Sequence, residues 1–181
     1  MNKNRIKVFL GAAIEELDKG ESMKEIKPIP QNHPALPEAV RLYGCRYRTL
    51  QAIAEFIAGA TLSLRYITNA YNTFKREKDV MNSNCECGEK EFKIIQDAYT
   101  ELTLEKRVLW QIGKIEGDKV TYWSGTPHPY THIIREYKTN VGKHFVLLDK
   151  DKNLIFDPWS LEYNAPLNTS DITNEYIYGI K

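Results

Sequence analysis

Apolar side chains recur at three- and four-residue intervals in the first part of the chain and fall into short runs between polar turns in the second. Ile6, Leu10, Ala13, Ile14 and Leu17 lie on one helical face, and the Lys-Gly-Glu-Ser that follows ends that predicted helix. Pro28, Pro30, Pro34 and Pro37 then predict an extended arm, because proline withholds a backbone donor and restricts the residue before it. A second helix carries Leu50, Ile53, Ala54 and Ile57 on one face and stops near Gly59. Leu64, Ile67, Tyr71 and Phe74 mark a third, and Phe92, Ile95, Ala98, Tyr99 and Leu102 a fourth.

From Arg107 onward the period changes. Val108 to Ile115 and Val120 to Trp123 flank a Gly117-Asp118 turn, Ile133 to Tyr137 forms another run, and Glu175 to Ile180 closes the series. Between the last two lies a hairpin: Phe145 to Leu148 and Leu154 to Phe156 around the polar Asp149-Lys150-Asp151-Lys152-Asn153. Helices followed by antiparallel strands predict an α+β domain, with N-terminal helices packed on a C-terminal antiparallel sheet.

Composition narrows the class. A chain of 181 residues with 42% hydrophobic content can bury one core, so residues 1–181 are read as a single domain: an N-terminal helix and proline-rich arm over 1–36, then a core over 37–181. Lys and Arg (25) nearly balance Asp and Glu (24), and no basic block of the kind that tracks phosphates is present, so nucleic acid is not an expected partner. No apolar run approaches the roughly 18 residues of a membrane span, and Ile6 to Ile14 runs into Glu15-Glu16 without a small-residue cleavage site. The expectation is a cytoplasmic protein with no membrane partner. Three cysteines in a chain of this length are expected as reduced thiols rather than a disulfide framework.

The candidate chemistry begins at the hairpin. With its loop centred on Lys150-Asp151, Leu148 pairs with Asn153, Val146 with Ile155, and His144 with Asp157. Opposed residues of an antiparallel pair have Cβ atoms roughly 4.5–5.5 Å apart, which lets the imidazole and the carboxylate touch. A carboxylate on one ring nitrogen fixes the tautomer and stabilises the imidazolium, the base and orienter of a nucleophilic triad. The candidate nucleophile is Cys45, in Tyr43-Gly44-Cys45, at the predicted start of the second helix. There the helix dipole and free N–H groups favour thiolate and could serve an oxyanion. Burial as a small apolar side chain is the alternative role for this cysteine.

Gly44-Cys45, His144-Phe145-Val146 and Phe156-Asp157-Pro158, in the chain order Cys, His, Asp, resemble the papain-like cysteine hydrolase superfamily. The likeness is to bacteriocin-processing-type cysteine peptidases and transglutaminase-like domains. Tyr43-Gly44-Cys45 and His144-Phe145-Val146 are also similar to motifs of an uncharacterised family of spirochaetes and their phages. Over residues 37–160 the resemblance implies a papain-like fold, a Cys45–His144–Asp157 triad, a peptide or small amide as substrate, and no metal or organic cofactor. The peptidase branch has a glutamine six residues before its cysteine, where this chain has Ala39; Gln31 in the proline arm, if that arm folds back, and the Tyr43 hydroxyl are the candidate donors, and the sequence places neither at the site. The alternative function is a non-catalytic domain of this shape acting as an interaction module, which the eleven tyrosines and three tryptophans would suit.

Other constellations are weaker. Cys85-Glu86-Cys87 supplies two thiols without the further ligands that a structural zinc site needs, and reads as a polar loop. Thr126-Pro127-His128-Pro129-Tyr130, preceded by Trp123, is expected to be a rigid loop that lines a cleft or turns at the surface. His132 is expected to be partly exposed on its strand, and Lys75 to Asp79 to be a solvated helix end.

Overall fold

A computed structural model describes residues 25–106, 109–140, 142–159 and 167–180. The predicted helix over Ile6 to Leu17 lies outside the described residues. Among the described residues four α-helices precede six strands: α1 (Glu38–Tyr43), α2 (Cys45–Ala58), α3 (Leu64–Phe74), α4 (Phe92–Thr103), β1 (Leu109–Glu116), β2 (Lys119–Tyr122), β3 (His132–Thr139), β4 (Gly142–Asp149), β5 (Leu154–Phe156) and β6 (Ile172–Ile180). The predicted α+β class, helices first and an antiparallel sheet after, is the observed one.

Local chemistry sets the helix ends. α2 stops at Gly59, whose φ of 65° suits a residue without a Cβ, and α3 starts at Ser63, whose hydroxyl accepts the Tyr66 N–H at 3.1 Å. The short α1 was not predicted. It begins directly after Pro37, the last proline of the arm, whose fixed φ of −52° suits a helix start.

The sheet order is β2-β1-β6-β3-β4-β5, with every neighbouring pair antiparallel. β6, last in the chain, lies between β1 and β3. Alternation along β4 serves two apolar layers. Phe145 and Leu147 join the helices, while Val146 and Leu148 pack with Ile112, Ile115, Ile133 and Ile177 on the other face.

The pattern predicted one buried face for α2, but the helix is sunk between α4 and β4 and buries polar side chains too. Tyr47 donates to the Ile67 carbonyl at 2.9 Å and accepts from Gln51 at 2.8 Å. Arg48, fully buried, donates to the Ile29 carbonyl (2.9 Å), Gln51 Oε1 (2.5 Å) and Glu55 Oε2 (3.0 Å), and Glu55 Oε1 accepts the Leu62 N–H at 2.8 Å. Each buried charge therefore has partners, as burial requires.

His132 is buried, contrary to the expectation of partial exposure. β3 is an inner strand covered on both sides, and burial lowers the imidazole pKa to about 4. Lys75 to Asp79 do form a solvated end after α3, tied down by Glu77–Lys93 and Asp79–Lys90 pairs at 2.5 Å. Among the described residues no helix is long and apolar enough to cross a membrane.

Candidate functional site

The hairpin of β4 and β5 brings His144 and Asp157 together, but by a different register. Asp149 accepts the N–H groups of Asp151 and Asn153 at 2.8 and 2.9 Å, building a wider loop, and the paired residues are Leu147 with Phe156 and Leu148 with Leu154 across an irregularity. Extending the Leu147–Phe156 register sets Trp159, not Asp157, opposite His144. The Trp159 and His144 rings stack with centroids 4.1 Å apart and planes 26° from parallel. Asp157 Oδ1 still reaches His144 Nε2 at 2.9 Å and also accepts the Trp159 N–H at 2.9 Å. The carboxylate thus orients the imidazole and fixes the turn that carries the covering ring.

The pair is unequally buried. The His144 side chain is 1% exposed and that of Asp157 23%. With Nε2 on the carboxylate, Nδ1 is left buried without a hydrogen-bond partner among the described residues.

Cys45 is the first residue of α2. Gly44 before it has φ −83°, so its role is space rather than a left-handed turn: a Cβ there would lie 2.5 Å from the Val40 carbonyl oxygen. The Cys45 thiol donates to the Lys143 carbonyl at 3.6 Å, and Thr49 Oγ1, one turn on, bonds the carbonyls of Cys45 (2.7 Å) and Phe145 (3.2 Å). The start of α2 is therefore fastened to β4 on either side of His144. In this arrangement the thiol is not hydrogen-bonded to the imidazole, because Nδ1 has no partner among the described residues and Nε2 is taken by Asp157.

The thiol itself differs from expectation. Burial pushes Cys45 up to about 11, against the lowering effect of the N–H groups of Arg46, Phe145 and Cys45 itself. The N–H groups at the helix start favour the thiolate, and desolvation by burial opposes them more strongly. Cys85 is likewise buried and pushed up to about 12. The loop that carries Cys85 and Cys87 forms part of the wall of the same cavity as Cys45, a space of about 1260 Å³.

Arg46 forms part of that wall. Its guanidinium forks onto both Glu91 oxygens at 2.6 and 2.7 Å and sits over the Phe145 and Tyr176 rings at 4.9 and 5.0 Å, while Tyr178 donates to Glu91 at 3.3 Å. The residue after Cys45 is thereby clamped to α4, β4 and β6 together.

The proline arm folds back to the site. Gln31 N–H donates to the Pro158 carbonyl at 2.9 Å, and its side-chain amide donates to the Arg41 carbonyl at 3.0 Å. Gln31 thus braces the segment after Asp157 against α1. Tyr43, the other donor named from sequence, is exposed on the cavity rim, as is Trp123; His128 bonds Ser124 Oγ at 3.1 Å in an exposed loop. Trp159 is the site residue that sequence reasoning missed. An aromatic two residues beyond the strand-closing aspartate was the available signal.

No protein family, no curated protein and no solved structure matches this chain.

Proposed function

We propose that this chain is a thiol-dependent hydrolase or acyl transferase acting on an amide-type bond in a papain-like domain. Cys45 is the nucleophile, His144 the proton carrier and Asp157 its orienter. The observation that supports this best is the His144 ring, held at Nε2 by Asp157 and covered by Trp159, with Nδ1 buried and unpartnered among the described residues. An unsatisfied buried polar atom costs about 1–3 kcal/mol, and a base awaiting a proton accounts for that cost.

In the proposed reaction His144 takes the thiol proton as Cys45 sulfur bonds to the carbonyl carbon. The C–N bond then breaks, the proton passes to the departing amine, and a thioester remains. Water attacks the thioester in hydrolysis, or an amine in transfer, and its proton returns through His144 to restore the thiol. The N–H groups of Cys45 and Arg46 at the helix start are the candidate oxyanion donors. The chemistry needs no metal or organic cofactor.

A second reading, a non-catalytic interaction module, draws on the burial of Cys45 and its raised pKa. Iodoacetamide alkylation at pH 6, mapped by peptide mass, separates the two. A nucleophile paired with His144 reacts at least about tenfold faster than Cys85 and Cys87. A plain buried thiol with pKa about 11 is thiolate in only about one molecule in 10⁵ at that pH, so uniformly slow labelling would support the interaction module.

A further inference from the structure

The cavity beside Cys45 has a charge balance and a rim that the proposed chemistry does not use. Four carboxylates, Glu86, Glu89, Glu91 and Glu136, line it against two cations, Arg46 and Lys143. The inner carboxylates are matched: Glu91 holds the Arg46 fork, and Glu136 takes Lys143 at 3.0 Å together with Thr173 and Asn174. The outer two are not. Among the described residues Glu86 accepts a neutral amide, from Asn82 at 2.6 Å, and Glu89 makes no side-chain hydrogen bond or ion pair, its neighbour Lys90 feeling its charge but being held by Asp79. Both are exposed.

The rim is apolar. Among the described residues five large apolar side chains are exposed, and three of them, Leu42, Tyr43 and Trp123, stand around this mouth. They come from α1 and from the turn after β2, whereas Glu86 and Glu89 come from the loop before α4, so the two features are independent. Exposed apolar side chains gathered at one concave place mark a binding surface, and carboxylates beside them that hold no cation in an ion pair favour a cationic ligand.

We propose that this cavity binds a peptide carrying a lysine or arginine next to an apolar or aromatic residue, the cation lying against Glu86 and Glu89 and the apolar side chain against Leu42, Tyr43 and Trp123. This deepens the reading of Cys45 as a nucleophile by naming its substrate class, and rests on that reading for the use made of the bound peptide. Binding itself does not need the thiol.

The test is a fluorescence-polarisation titration with two labelled pentapeptides, Ala-Phe-Lys-Ala-Ala and Ala-Phe-Glu-Ala-Ala, blocked at both ends. The proteins are the wild type, the Cys45→Ala variant, which excludes turnover, and the doubly substituted Glu86→Gln, Glu89→Gln variant. The lysine peptide is expected to bind about tenfold more tightly than the glutamate peptide to the first two proteins, two exposed charges each contributing a few-fold. In the Glu86→Gln, Glu89→Gln protein the gap falls below about threefold with an unchanged melting temperature, since both side chains are exposed. Equal binding, failure of both peptides to bind, or a gap that survives the double substitution would overturn the proposal. A lysine preference in a protein whose Cys45 proves inert to alkylation would retain this inference and remove the catalytic reading instead.

Discussion

Replacing Arg48 with methionine tests how the proline arm is held over the candidate site. Arg48 and Glu55 are fully buried and joined at 3.0 Å, and Arg48 also satisfies the Ile29 carbonyl and Gln51 Oε1. Methionine fills much of the volume but leaves Glu55 with the Leu62 N–H as its remaining partner. Removing one member of a buried pair costs about 3–5 kcal/mol, because the other charge is stranded rather than because the pair is worth that much. At about 2–4 °C per kcal/mol for a domain of this size, the melting temperature should fall by roughly 6–20 °C. Adding Glu55→Gln keeps an acceptor for Leu62 N–H while removing the stranded charge, so the double variant should regain about half of the loss. Urea unfolding at 25 °C of both single variants and the double variant measures the coupling. Because Arg48 anchors Ile29, exchange of the Gln31 amide hydrogen, bonded to Pro158, should also accelerate in Arg48→Met. A loss below about 1 kcal/mol, or a double variant no more stable than Arg48→Met, would refute this account.

Two further outcomes follow from the site and the sheet. Asp157→Asn keeps an oxygen for the Trp159 N–H but removes the charge facing His144 Nε2, so Cys45 alkylation should slow by about tenfold or more and begin at higher pH, with a near-constant melting temperature; an unchanged profile would reduce Asp157 to a turn residue. His132 has a folded-state pKa of about 4 against an ordinary 6.5, so the unfolded chain binds more protons between those values. Stability from this group is present above pH 6.5 and lost as the pH falls toward 4, by up to about 3 kcal/mol, and urea midpoints of wild type and His132→Asn across that range should converge at the acid end.

What could be read in the sequence were features governed by neighbours in the chain. The apolar faces of α2 to α4, the stop at Gly59 and the β4–β5 hairpin each follow from periodicity or turn chemistry within a few residues. Features decided by packing were not legible. Nothing local marks Arg48 and Glu55 as buried, since their identities suit a solvated helix face; only the sinking of α2 between α4 and β4 makes them interior. The hairpin register turned on Asp149, whose carboxylate gathers the loop amides and shifts the pairing so that Trp159 rather than Asp157 stands opposite His144. The expectation for Cys45 weighed the helix terminus without the desolvation that tertiary burial adds.

The position of β6 has a consequence for synthesis. It is the last described strand in chain order yet joins β1 to β3, and Tyr176 and Tyr178 on it complete the clamp around Arg46 and Glu91 beside Cys45. While the chain is growing, Cys45, His144 and Asp157 all leave the ribosome before the strand that unites the two halves of the sheet. The nascent chain therefore carries its thiol in an unbraced setting, and the cavity wall closes only when β6 inserts. Any activity of the cavity is thereby tied to the synthesis of β6: a product truncated before residue 172 would hold all three candidate residues and lack the wall that positions one of them.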